Sequence, residues 1–230
     1  PLPQSLGNGC AYYNNYIYFA REKGISRYGP LDNSPSFDIN FWYNLFYKSA
    51  DTWQINGNSG REMGIEWKPD GTKFYIACSY GYFTEMKTDD PWNIESLEFN
   101  AQVYSGNVGS NSTQSGSGGL HWKPDGTKMY VGDDAYGEII EYDASTAWDV
   151  TSLSENQRIS IHSDSSSVRG LFLKSDGTKM YQTCGDTMSV YEFDLSTAWD
   201  ISTASEVSQA STKSTHPIGG IFNDDGTKFY

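Results

Sequence analysis

The chain has 230 residues, 29 acidic against 16 basic side chains for a net charge of −13, and a composition that is 15% aromatic and 37% hydrophobic. That many rings argue for a folded core, while an acidic chain without Lys/Arg clusters argues against nucleic-acid partners and anionic membrane surfaces. No stretch reaches the ~18 apolar residues of a spanning helix, so no membrane insertion is expected, and Pro1 to Gly9 lack the basic start and apolar run of a signal peptide.

In chain order, the first feature is a degenerate strand-rich stretch, Gly9-Cys-Ala-Tyr-Tyr-Asn-Asn-Tyr-Ile-Tyr18, whose period becomes clear only later. Gly64-Ile-Glu-Trp-Lys-Pro-Asp-Gly-Thr-Lys-Phe-Tyr75 recurs as Gly119-Leu-His-Trp-Lys-Pro-Asp-Gly-Thr-Lys-Met-Tyr130 and as Gly170-Leu-Phe-Leu-Lys-Ser-Asp-Gly-Thr-Lys-Met-Tyr181. A last copy, one residue shorter, runs from Gly220 to Tyr230, and successive starts lie 55, 55, 51 and 50 residues apart. A second motif follows the complete copies: Asp90-Pro-Trp-Asn-Ile94, Ser145-Thr-Ala-Trp-Asp-Val150 and Ser196-Thr-Ala-Trp-Asp-Ile201.

Within one period the pattern predicts four strands. Gly119–Trp122 is strand A, followed by a tight turn in which Pro124 presets φ and Gly126 takes a positive φ; Gly71, Gly177 and Gly226 hold the same place in other copies. Lys128–Val131 is strand B, Glu138–Tyr142 strand C and Gln157–His162 strand D. No window carries a capped 3.6-residue apolar period, so helix content should be very low.

Four antiparallel strands per ~50 residues in tandem predict an all-β chain, a β-propeller of four-stranded blades. A parallel solenoid fits the hairpin turn after strand A less well. The expected blades cover about 9–63 in degenerate form, 64–118, 119–169, 170–219 and an incomplete 220–230, within a single region 1–230. Because Tyr230 falls inside strand B, the expectation is part of a ring of six or seven blades, with a closed four-bladed ring as the competitor. Trp92, Trp148 and Trp199 are expected to act as wedges between blades, each burying ~200 Å².

The motifs Lys-Pro-Asp-Gly-Thr-Lys-Met-Tyr and Ser-Thr-Ala-Trp-Asp resemble a propeller repeat of tailed-bacteriophage structural proteins, marine phages notably, over residues 64–230. Through Pro-Asp-Gly-Thr-Lys-x-Tyr alone, the similarity extends to secreted and surface-layer propellers. The resemblance implies a non-enzymatic virion protein of tail, fibre or capsid surface, located on the particle or extracellularly. Its implied partners are other virion proteins or copies of itself, with host-surface glycan as a possible ligand. The alternatives are a surface-layer adhesion propeller and a carbohydrate-active enzyme.

The A–B and C–D turns are near-identical between copies, whereas the B–C and D–A connections vary, which marks the latter face as the better candidate for recognition. There Tyr80, Tyr82, Tyr136, Asp133, Asp134, Asp186, His162 and Arg169 offer aromatic platforms and hydrogen-bonding groups for a sugar ring. Arg169 is equally placed to neutralise neighbouring carboxylates. Asp133-Asp134 and Asn223-Asp224-Asp225 lack the spacing of a calcium loop, so no metal or other cofactor is expected.

No nucleophile elbow, paired metal-binding histidines or phosphate loop occurs. Glu66 and His121 share one strand-A position that could meet near the channel, but Phe172 and Phe222 follow there, which reads as blade packing rather than catalysis. Cys78 and Cys184 fall at matching places on different blades, beyond the ~7 Å Cα limit of a disulfide.

Overall fold

The computed structural model describes residues 9–13, 16–21, 24–28, 62–78, 81–105, 117–134, 136–160, 167–212, 217 and 219–220. A three-stranded antiparallel sheet, β1 (Gly9–Tyr13), β2 (Tyr16–Arg21) and β3 (Gly24–Tyr28), comes first. Three four-stranded antiparallel sheets follow, each in sequential order: β4 (Glu62–Trp67), β5 (Lys73–Cys78), β6 (Tyr82–Lys87), β7 (Glu98–Tyr104); β8 (Ser117–Trp122), β9 (Lys128–Asp133), β10 (Glu138–Ala144), β11 (Leu153–Ser160); β12 (Val168–Leu173), β13 (Lys179–Cys184), β14 (Ser189–Leu195), β15 (Ala204–Ser211). These are the meander blades of a β-propeller, numbered first (β4–β7), second (β8–β11) and third (β12–β15), and the helical residues described are short 3-10 segments such as Val150–Ser152. Strand D of the second blade starts four residues earlier than the alternation indicates, at Leu153, which packs in the inter-blade core.

The Asp-Gly-Thr turn folds as expected and for identifiable reasons. Gly126 sits at φ +74°, and Asp125 Oδ1 accepts from the Thr127 amide at 3.0 Å and its hydroxyl at 2.6 Å. Asp70–Thr72 and Asp176–Thr178 repeat both bonds. The following Trp packs onto this turn in its own blade: the Trp148 amide donates to the Gly126 carbonyl at 3.0 Å, and a Cβ on Gly126 would lie 2.2 Å from the indole. Glycine is therefore required there twice, by backbone sign and by space.

Trp92, Trp148 and Trp199 themselves adopt φ of 66°, 62° and 66°, an unusual conformation for a bulky residue, held by ring packing and the amide bond. Trp148 also reaches the preceding blade: its ring lies 6.1 Å from Tyr75, whose hydroxyl donates to the Trp148 carbonyl at 2.8 Å. Tyr130 makes the same bond to Trp199 at 2.7 Å. Strands β5 and β9 are buried on both faces because each blade is sandwiched by its neighbours.

Each C–D pairing carries a bulge at an acidic residue, Glu85, Glu141 or Glu192. Glu85 and Glu141 are each 1% exposed, yet satisfied: Lys73 and Asn100 serve Glu85, while Lys128, Asn156 and Gln157 serve Glu141. A buried carboxylate is tolerated when so paired.

Strands β4, β8 and β12 are the innermost of their sheets and come together closely. A Cβ on Gly64 would lie 2.7 Å from the Leu120 amide nitrogen, and one on Gly119 only 2.1 Å from that of Leu171. The repeat glycine therefore lets neighbouring inner strands converge, which is what brings the next side chains along each strand together.

Candidate functional site on the inner strands

Each inner strand pairs with strand B on one side only, so its other edge carries backbone groups without a sheet partner. Glu66 reaches from β4 across to β8, where its Oε2 accepts the Trp122 amide at 2.7 Å. Its Oε1 lies 3.4 Å from His121 Nδ1. The two side chains, on separate blades, retain 22% and 14% exposure.

His121 in turn meets the third blade, with the Phe172 ring 5.3 Å away and tilted by 54°, and Trp199 parallel to within 9° at 6.5 Å. Its Nε2 is enclosed and makes no hydrogen bond.

Burial pushes the Glu66 carboxyl well above its usual value, only partly offset by the Trp122 amide. Burial also pulls the His121 imidazole down to about 4, with the Leu173 backbone opposing. His121 is thus neutral at pH 7, and the proton in the Glu66–His121 contact decides what Nε2 can do. With Glu66 protonated toward Nδ1, Nε2 carries hydrogen and donates; with Glu66 ionised, Nδ1–H faces the carboxylate and Nε2 accepts. Carboxyl and imidazole thus stand 3.4 Å apart as a candidate acid–base pair.

The residues anticipated on the variable-loop face are described in part. Asp134 and Arg169 do meet: Arg169 Nε donates to Asp134 Oδ1 at 3.1 Å, and Ser167 donates to the same oxygen. Arg169 therefore performs the neutralising role, at the junction of the second and third blades, with its guanidinium against Gly185. Asp133 is 1% exposed and accepts the Tyr136 amide at 3.1 Å, which is loop stabilisation. Tyr136 is 56% exposed, Asp186 is exposed in the β13–β14 turn, and Tyr82 packs on Tyr104 of its own blade at 4.9 Å. Tyr80, His162 and Gly226, like Phe222 and Asn223-Asp224-Asp225, lie outside the described residues. Cys78 and Cys184 are buried, and neither forms a disulfide among the described residues.

The Glu66–His121 position is a packing position, as its alternation with Phe172 indicates, but also a direct polar meeting, which the sequence reading considered and set aside. The available signal was that one inner slot changes from Glu to His to Phe while its buried neighbours, Ile65, Leu120 and Leu171, stay aliphatic.

No protein-family model and no curated protein matches the chain. Solved structures do. A proposed 6-phosphogluconolactonase of Bacteroides uniformis ATCC 8492 superposes with a TM-score of 0.59 at 16% identity, over 96% of this chain and 61% of that one. A second, from Bacteroides fragilis NCTC 9343, gives 0.54 at 14% identity, over 95% and 59%. The β-propeller domain of Cps50 (Swd1) from Myceliophteria thermophila gives 0.51 at 9% identity, over 91% and 60%. The chain spans about three-fifths of each of these structures, and likeness at such identities establishes the propeller fold.

The expectation of a non-enzymatic virion structural protein is corrected by these comparisons, since two of these propellers are named for lactone chemistry. The physical reason is visible in the blades. The residues that carried the phage resemblance, Gly126 with Trp148 and their equivalents, shape turns and blade junctions, so they specify a blade and not its use.

Proposed function

We propose that the propeller to which this chain contributes hydrolyses a cyclic ester of a sugar acid, with Glu66 and His121 as its acid–base pair. The observation that carries this reading is the contact between a carboxyl of raised pKa and a neutral imidazole on adjacent inner strands. The substrate class is suggested by the names of the two similar Bacteroides propellers. A net charge of −13 repels anions at long range, which favours an uncharged lactone over a phosphorylated one.

In the reaction, Glu66 is ionised and holds the Nδ1–H of His121. Because Nε2 is enclosed, the ring must first shift to open it to the site; His121 Nε2 then takes a proton from water as the water oxygen bonds to the lactone carbonyl carbon. The ring C–O bond then breaks, and the imidazolium returns the proton to the departing alkoxide, leaving the open hydroxy acid. The ionised Glu66 stabilises the transient imidazolium, as a buried carboxylate does beside any histidine base.

The test is δ-gluconolactone hydrolysis by the full chain, followed by pH-stat against the buffer rate. His121→Ala should lower the enzymatic rate ~100-fold or more. A parent chain no faster than buffer overturns the reading.

A second reading is favoured by the Trp122 amide bond: Glu66 braces the inner edge of the second blade. Under that reading Glu66→Gln lowers the melting temperature and affects nothing else.

A further inference from the structure

We propose that Phe172 is a specificity residue, the platform on which the ring of the substrate stacks beside His121. The inference rests on the acid–base reading of Glu66 and His121 and deepens it by naming the shape of substrate that the site selects.

The three inner-strand slots are related by the repeat, and each is flanked by buried residues on its own strand: Ile65 and Trp67, Leu120 and Trp122, Leu171 and Leu173. The flanking residues are 6% exposed or less, so they close the core, while all three slot residues are partly exposed. Going around the inner wall, the slots read carboxyl, imidazole, phenyl. Polar chemistry thus sits at one end of the row and an aromatic surface at the other, with His121 between them and the Phe172 centroid 5.3 Å from its ring.

A wall of this kind matches a molecule with a reactive polar edge and an apolar face. A six-membered sugar lactone has both: the ester carbonyl lies on the ring perimeter, and the axial C–H groups form a flat apolar face that stacks on an aromatic ring. An acyclic ester of similar polarity offers the carbonyl without the face. Phe172 therefore contributes binding common to the ground and transition states, which appears in KM and leaves kcat unchanged.

Kinetics on the full chain with δ-gluconolactone and with methyl lactate, an acyclic hydroxy ester, test this directly. Phe172→Leu keeps an aliphatic side chain for the fold and removes the aromatic face, whereas Phe172→Tyr keeps the face. The expected result for Phe172→Leu is a roughly five- to tenfold rise in KM for the lactone at constant kcat, no change for methyl lactate, and parent behaviour for Phe172→Tyr. Equal effects on both esters, an unchanged lactone KM, or a rise in kcat for both, the mark of a screen over His121, would each overturn the proposal while leaving the acid–base pair intact. Absence of lactone turnover in the parent overturns the acid–base reading and this inference with it.

Discussion

The junction between the first and second blades and the junction between the second and third are built on one frame and finished differently at the axis. In both, a strand-B tyrosine donates to the carbonyl of the next blade's turn tryptophan, Tyr75 to Trp148 and Tyr130 to Trp199. In both, a glycine lets the inner strands close, Gly64 against Leu120 and Gly119 against Leu171. At the inner slot they part: Glu66 crosses the first junction to hydrogen-bond β8 and meet His121, while His121 crosses the second to lie against Phe172. Whatever folding requires is repeated, and the proposed acid–base pair lies where the repeat lapses.

If the frame is shared, its most crowded point should fail first. Gly119→Ala places a methyl group on the backbone of β12, with no flexible side chain to give way, so the loss should exceed ~4 kcal/mol or prevent folding. Soluble expression and chemical denaturation would measure it, and a near-neutral result would break the claim that inner-strand approach dictates the repeat glycine. Next in size, Trp148→Ala removes the ring that fills both its own turn and the first junction, at ~3–5 kcal/mol.

A smaller pair sharpens the contrast between the junctions. The Trp148 carbonyl receives Lys73 Nζ at 2.7 Å as well as Tyr75, whereas Lys128 turns to Glu141 and Asp143 and leaves Trp199 to Tyr130. Tyr130→Phe should therefore cost more, ~1–3 kcal/mol, than Tyr75→Phe at ~0.5–1.5 kcal/mol. Equal urea midpoints for the two variants would remove the distinction.

Much of the blade was legible because turn chemistry is local. Asp-Gly-Thr at a hairpin carries its own hydrogen bonds and its own demand for positive φ, and four short strands with no helical period leave few alternatives. The left-handed tryptophans were not legible, since propensity argues against them and only the packing of ring on glycine holds them there. The candidate site was legible only in part. The variable loops drew attention by exposure and aromatic content, yet Arg169 and Asp134 neutralise each other and Asp133 serves its own loop. Glu66 and His121 stand 55 positions apart, and only the convergence of inner strands at the glycines turns that spacing into a 3.4 Å contact.

The central claim is that one carboxyl, Glu66, governs both a junction and the chemistry beside it, and its titration tests both at once. Because its folded-state pKa is raised, the folded protein binds more protons than the unfolded chain above pH ~4.5; its contribution to stability is full below that value and is lost as pH rises through the raised pKa. His121, lowered to about 4, works in the opposite sense, its contribution growing as pH rises from about 4 to ~6.5 and full above that. Lactone hydrolysis should rise with pH over the window in which Glu66 ionises, because only then does Nε2 accept a proton. The decisive measurement is a paired pH series of melting temperature and kcat/KM for the parent and Glu66→Gln. The account predicts that the parent's activity climbs with an acid limb above the ordinary carboxylate range while Glu66's share of the stability falls away, and that Glu66→Gln loses both the limb and the decline. A variant whose activity profile matches the parent's, whatever its stability, would contradict it.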